Sequence, residues 1–359
     1  MEEQYTPIIS EEERLARHRQ RAELRRKKQR ERRRRQLRQV LPAAVLALAV
    51  VVLLSAWGLR RKPEEPEPLP QPTVSAIIPE PPQPEPEVPY AAVSSSATIQ
   101  LGDTVDSSYA ILIDEETGTV IAEKASDTVI SPASMTKVLT LLVAAERVTN
   151  LDDTFTMTID ITDYCYVNKC SVVGLMVDET VSVRELLYGT ILPSGADAAL
   201  GLAVYVAGSH EAFVELMNEK LEELGLSDTA HFTNCVGLYD ENHHCTIYDM
   251  AIIMRAAMEN ELCREVLNAR TYETAPTSDH PDGQILSNWF LRRIEDRFTG
   301  DFQVVGGKTG YVVQAGSCAV SCGQGADGKL YICATGDASS SWQAIYDHTA
   351  LYQTYCEQA

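Results

Sequence analysis

Ser134 and Lys137 stand three residues apart in Ser131-Pro132-Ala133-Ser134-Met135-Thr136-Lys137, a hydroxyl and an amine opening a run with helix-compatible apolar spacing, Leu139 to Ala144. On a helix, positions i and i+3 share a face one turn apart, so the serine oxygen and the lysine nitrogen can touch. A serine hydroxyl attacks carbonyls at neutral pH only when a neighbouring base takes its proton. A buried lysine beside other cations loses enough basicity to serve as that base. Positive potential at the helix N-terminus favours both the neutral amine and developing negative charge on the serine. The spacing therefore offers a nucleophile, provided that partners come from elsewhere in the chain.

Two short motifs downstream supply such partners, Ser194-Gly195-Ala196 within Leu192–Ala199 and Lys308-Thr309-Gly310 within Val305–Tyr311. In this order, S-x-x-K, S-G-x and K-T-G resemble the penicillin-binding and serine β-lactamase superfamily. The surroundings are similar to those of the low-molecular-mass D-alanyl-D-alanine carboxypeptidases, peptidase family S11. They comprise Tyr109–Asp114 with Gly118, Phe232-Thr233-Asn234 with Gly237-Leu238, His244, Thr246 and Asp249, and Gly307–Tyr311 with Ala315-Gly316.

This resemblance implies an α+β, β-lactamase/transpeptidase-like fold and a hydrolase of the cell wall. Ser134 would attack the carbonyl between two D-alanines of a peptidoglycan stem peptide, with Lys137 as base and water resolving the acyl-enzyme. Ser194 would pass a proton toward the leaving amine. The backbone N–H groups of Ser134 and Tyr311 would form the oxyanion hole, and Lys308, Thr309 and Gly310 would hold the peptide and its terminal carboxylate. The implied partners are stem peptides ending in D-Ala-D-Ala, with β-lactam antibiotics as covalent inhibitors, and neither cofactor nor nucleic acid is called for. The third residue of the second motif is Ala196 where the family has Asn, whose side chain would bond the lysine and the substrate amide. That departure leaves a catalytically impaired penicillin- or peptidoglycan-binding module as an alternative, and a β-lactamase as a third reading.

Elements that could position these residues follow from periodicity. Tyr109–Asp114 reads as a buried strand, 115–118 as a turn and Thr119–Glu123 as its hairpin partner. Helical patterns run near 182–192, 196–207, 210–224 and 246–258. Strands return near 302–308, 315–322 and 329–335 before a last helix from about Ser340 to Cys356. Sheet segments at both ends of a helical middle predict one α+β domain whose antiparallel sheet is closed by distant parts of the chain.

Charge divides the 359 residues further. Residues 1–39 carry fourteen Arg or Lys against seven Glu, whereas residues 91–359 carry fourteen against thirty-eight acidic groups. Between them Val40–Leu59 is a twenty-residue run without a charge, about 30 Å long as a helix and so matched to a bilayer core. Residues 63–90 hold eleven prolines and six glutamates with no Lys or Arg, the composition of an extended tether. The expected organisation is a basic cytoplasmic segment (1–39), a transmembrane helix (40–59), a Pro/Glu-rich linker (60–104) and a catalytic domain (105–359). The excess of basic residues before the span predicts a single-pass cell-membrane protein with an extracytoplasmic domain. The chain ends soon after the last helix, so the second β-rich domain and C-terminal anchor of many relatives are expected to be missing.

All nine cysteines lie at or after Cys165. Cys165 with Cys170 and Cys235 with Cys245 could close local disulfide loops, and buried free thiols are the other reading. His231, His243, His244 and His280 lack metal-ligand spacing, and His244 is expected to steady a loop near the cleft.

Overall fold

The structure, a computed structural model, describes residues 90–298 and 301–356. The first described segment packs rather than dangling. Arg255 donates to the carbonyls of Tyr90 and Glu115, both at 2.6 Å, and Ala92 exchanges hydrogen bonds with the Tyr248 hydroxyl. Leu101 and Val105 are buried, so residues 90–104, placed in the linker by composition, lie against the domain.

β1 (Ile99–Gln100), β2 (Tyr109–Asp114) and β3 (Thr119–Lys124) begin the main sheet. β2 alternates its apolar side chains between two cores, Ile111 and Ile113 facing one and Ala110 and Leu112 the other, as the two-residue period of a strand demands. β4 (Val129–Ile130) leads into a 3₁₀ turn, Ala133–Met135, and then α1 (Thr136–Ala145). Thr136 to Ala144 are all buried, so α1 is enclosed on every side rather than amphipathic.

The helical middle comprises β5 (Thr154–Thr156), α2 (Ile159–Val167), β6 (Thr180–Ser182), α3 (Val183–Ile191), α4 (Ala196–Ala207) and α5 (His210–Glu223). After β7 (Cys245–Thr246), paired with β4, come α6 (Ile247–Glu259) and α7 (Glu261–Asn268). β8 (Thr271–Glu273) and β9 (Ile285–Ser287) form a separate hairpin ahead of the short α8 (Leu291–Ile294). The chain then returns to the main sheet with β10 (Gln303–Val312), β11 (Gly316–Gln324) and β12 (Leu330–Ala338), and closes with α9 (Ser341–Tyr355).

The strand order is β1-β3-β2-β12-β11-β10, antiparallel except for the β1–β3 pair. The expected closure is present: β2 pairs with β12, Asp114 opposite Tyr331. α1 and α6 share a core with one face of the sheet, and α8 and α9 cover the other through Leu291, Ile345, Leu351 and Tyr352. β10 is held closely from both sides. A Cβ on Gly306 would sit 3.2 Å from Met254 and Met258 of α6, and one on Gly307 only 2.2 Å from the Phe290 ring beside α8. Side-chain-free positions therefore let this strand slot between two helical layers.

One expectation is corrected. The apolar run 40–59 and the basic segment before it lie outside the described residues, and among the described residues no helix is long and apolar enough to cross a membrane. α9 has fifteen residues, about 22 Å at 1.5 Å per residue and short of a bilayer core. The single-pass cell-membrane location is withdrawn on that finding. Of the two readings left open for the cysteines, the free-thiol one is found, since all nine are free thiols, eight of them buried. Cys235 points its sulfur at the Ala199 carbonyl, Cys245 is taken up by the β4–β7 pair, and Cys333 faces the opposite core from Cys318 and Cys322.

α6 tests how local signals hold the core together. Thr246 accepts from the Asp249 amide at 3.0 Å while Asp249 accepts from the Thr246 amide at 2.7 Å, a reciprocal cap at the start of a helix with eleven buried residues. Thr246→Ala is expected to lower the unfolding free energy by about 1–2 kcal/mol, read as a reduced urea midpoint at unchanged m value.

Candidate active site

Ser134 lies in the 3₁₀ turn and Lys137 at the second position of α1, so the candidate nucleophile stands just ahead of the helix rather than within its first full turn. Ala133 before it adopts φ +47, which turns the chain sharply into the helix. Lys137 Nζ is 3.2 Å from Ser134 Oγ and donates to the Val236 carbonyl at 2.6 Å. Lys137 is 1% exposed, and burial holds its amine down at about 8, well below the ordinary lysine range. With a neutral amine the same contact can run in reverse, the hydroxyl donating its proton to nitrogen.

The Val236 carbonyl is held by its own turn. Asn234 Oδ1 accepts from the amides of Val236, Gly237 and Leu238, at 3.2, 2.7 and 3.0 Å, fixing a tight loop under α1. Thr140 of α1 donates to the neighbouring Cys235 carbonyl at 2.8 Å. Gly237 sits at φ +77, and a Cβ there would fall 1.9 Å from the Ala133 carbonyl oxygen. The loop and the nucleophile turn thus touch through backbone alone.

His243, not His244, is the histidine nearest this centre. It is buried, the Thr233 amide donates to its Nδ1 at 3.0 Å, and Nε2 lies 2.8 Å from the Thr136 hydroxyl. An accepting Nδ1 assigns the ring proton to Nε2, and burial depresses the imidazole to about 3, keeping it neutral. His244 faces outward with its Nδ1 at the Asn242 carbonyl.

The other two motifs converge on the same place. Lys308 of β10 donates to Ser194 Oγ at 2.9 Å and to the Thr309 carbonyl at 2.8 Å. Burial pushes its amine well down, and the nearby charge of Lys137 adds to the effect. Ser194, at φ +62 between α3 and α4, is thereby joined to Lys308 rather than to Lys137. A Cβ on Gly310 would meet Ala133 Cβ and Ser134 N at 3.1 Å, so the strand needs glycine where it passes the nucleophile turn. Thr309 is half-buried and the Tyr311 side chain is exposed.

Ala196 is buried at the start of α4, its amide bonded to the Ser171 carbonyl at 2.8 Å. Asp197 turns away from the two lysines. Its carboxylate accepts the amides of Val173, Gly174 and Leu175 at 2.9, 2.9 and 3.1 Å, pinning that loop beside the S-G-A motif. Neither this clamp nor the Val236 carbonyl is announced by a motif. Asn234 and Gly237 are the only letters that hint at the latter.

A hydroxyl against a buried amine of lowered basicity, with a second lysine on an adjacent strand edge, is an arrangement suited to nucleophilic chemistry, and it sits on an α+β fold of the DD-peptidase kind. The chain belongs to the D-alanyl-D-alanine carboxypeptidase family, peptidase S11, whose family model matches residues 94–336. It is 33% identical over 209 residues to the D-alanyl-D-alanine carboxypeptidase DacF of Bacillus subtilis, covering 58% of this chain and 52% of that protein, so it spans about half that relative's length. It is 34% identical over 211 residues to a D-alanyl-D-alanine carboxypeptidase of Streptomyces sp. strain K15, 57% of this chain and 72% of the other. The crystal structure of the Streptomyces K15 DD-transpeptidase superposes with a TM-score of 0.63 at 29% identity, covering 69% of this chain and 96% of that one. A D-alanyl-D-alanine carboxypeptidase from Mycobacterium tuberculosis gives 0.62 at 26% identity, covering 73% and 94%.

Gly237→Ala would drive a methyl group into the backbone of the turn that carries Ser134. A left-handed backbone and a Cβ inside contact distance of Ala133 together are expected to remove more than about 1 kcal/mol of stability. Urea unfolding measures this, and a wild-type midpoint would mean that the two loops are not in contact.

Proposed function

We propose that this chain is a serine D-Ala-D-Ala carboxypeptidase that removes the terminal D-alanine from peptidoglycan stem peptides through an acyl-enzyme on Ser134. The observation that carries the reading is the 3.2 Å contact between Ser134 Oγ and a fully buried Lys137 amine whose basicity is lowered to about 8. Residues 105–359 are the proposed catalytic domain.

In this mechanism Lys137 takes the Ser134 proton as the oxygen attacks the carbonyl between the two D-alanines. The tetrahedral oxyanion is met by the N–H groups of Ser134 and Tyr311, a placement supported by the close passage of β10 over the nucleophile turn at Gly310. Lys308 and Thr309 receive the substrate's terminal carboxylate, which restores the charge that burial removes from Lys308. Ser194, bonded to Lys308, relays a proton to the departing amine of D-alanine. Water then attacks the ester, with Lys137 again as base. β-Lactams acylate the same serine and block it.

Ala196 leaves the base in place, because Lys137 is oriented by the Val236 carbonyl and not by residue 196. This supports an enzyme over a module that only binds penicillin. The likeness to a DD-transpeptidase supports a second reading, in which an amine rather than water resolves the acyl-enzyme.

Free D-alanine released from diacetyl-Lys-D-Ala-D-Ala measures the activity directly. Wild type is expected to turn over and Ser134→Ala to lose at least about a thousandfold, the scale of removing an activated nucleophile. Folded wild-type protein that takes up penicillin but releases no D-alanine, with or without added amine acceptors, would leave the binding module standing. Transfer to an amine in preference to water would establish the transpeptidase.

The base also dictates a pH profile. A neutral Lys137 is required and burial holds its amine at about 8 in the free protein, so the second-order rate of acylation at low penicillin is expected to rise about tenfold per unit below that value and to level off above it. Stopped-flow acylation across this range checks the sign, and a flat profile would remove Lys137 as base.

A further inference from the structure

Cys165 and Cys170 stand apart from the other seven cysteines. Cys165 closes the last turn of α2, and the Cys170 amide folds back to donate to the Cys165 carbonyl at 3.0 Å. The two side chains interact and line one open cavity of about 400 Å³, shared with Lys169 and Asp197. Cys170 is partly exposed, whereas Cys165 and every other cysteine are buried. The electrostatics separate the pair as well. The hydrogen bond from Cys165 lowers the Cys170 thiol, with the Lys137 charge helping, whereas Cys165 is pushed up by the same hydrogen bond and by burial.

We propose that Cys165 and Cys170 form a dithiol site that exchanges with low-molecular-mass disulfides, and that its closure locks the loop beside the S-G-A motif. The Cys170 thiolate attacks one sulfur of a disulfide RSSR, forming Cys170–S–SR and releasing RS⁻. Cys165 then gives up its proton to solvent and attacks the Cys170 sulfur, forming the Cys165–Cys170 disulfide and releasing the second RS⁻. Two protein thiols are oxidised, and one small disulfide is reduced to two thiols. An accessible, acidic attacking thiol above a buried resolving one is the arrangement this sequence of steps requires.

The consequence for the site runs through the next few residues. Ser171 holds the Ala196 amide, and the amides of Val173, Gly174 and Leu175 rest on Asp197. A covalent link at Cys170 fixes the near end of this segment, so openings that release these amides become rarer. The chemistry does not depend on the carboxypeptidase reading, and neither does its test.

The full chain is incubated with oxidised glutathione and followed by intact-mass and peptide-mass spectrometry. The peptide carrying both cysteines is expected to lose two hydrogens, reversibly with dithiothreitol, while the other seven thiols stay reduced. Cys165→Ala is expected to stop at a single glutathione adduct on Cys170, and Cys170→Ala to take up none over the same time. Because either variant could fail to fold, iodoacetamide labelling of wild type is run alongside, with Cys170 expected to react first. Hydrogen exchange at residues 171–175 is expected to slow about tenfold on oxidation. First reaction at another cysteine, or no adduct on Cys170 in Cys165→Ala, overturns the exchange site; unchanged hydrogen exchange in the oxidised protein overturns the lock.

Discussion

A primary amine held out of water is the constraint from which the rest of this structure follows. Lys137 sits on a helix whose neighbouring positions are all apolar or hydroxyl-bearing and buried, so its charged form has lost hydration without gaining a carboxylate partner. Such a group survives in a core only when its N–H donors are satisfied and its basicity falls. The Val236 carbonyl and Ser134 Oγ provide the first, and enclosure provides the second. The Asn234 turn, the glycine at 237 and the neutral His243 behind Thr136 can all be understood as fixing the one acceptor and the one hydroxyl that this amine needs.

The second lysine is buried under the opposite constraint. Lys308 arrives on a strand that must pass within contact of the nucleophile turn, and it can do so because Gly306, Gly307 and Gly310 bring no side chains to three crowded points. The charge of Lys137 lowers Lys308 beyond what burial does alone, so a negative charge brought beside Lys308 would restore its proton. An anion of the right length is therefore welcomed by the electrostatics before any particular contact is considered.

Much of this was legible in the letters of the chain. The strand at Tyr109–Asp114, its hairpin partner and the three C-terminal strands follow from short apolar runs bounded by turn residues, and Ser134, both lysines and Ser194 were marked by short motifs that do converge. What escaped was carried by backbone atoms or by the direction of a side chain. The Val236 carbonyl has no letter of its own. His243 and His244 are adjacent and differ only in which face the His231 bridge turns inward, and that bridge pairs residues too distant for local pattern to register. The cysteines read equally well as bridges or buried thiols, because spacing says nothing about which side of a sheet a sulfur faces.

The pairing of β2 with β12 places the first long strand of the domain against the last. Contacts between such remote segments are entropically late ones, since the chain between them must be gathered in before the pairing is rewarded. The helical middle, rich in local contacts, can organise early, whereas the edge that carries Lys308 is seated only once β11 and β12 have joined β2. An emerging chain would thus hold an assembled Ser134–Lys137 pair in a half-open groove until its final strands arrived, and competence to bind would mark completion of the fold.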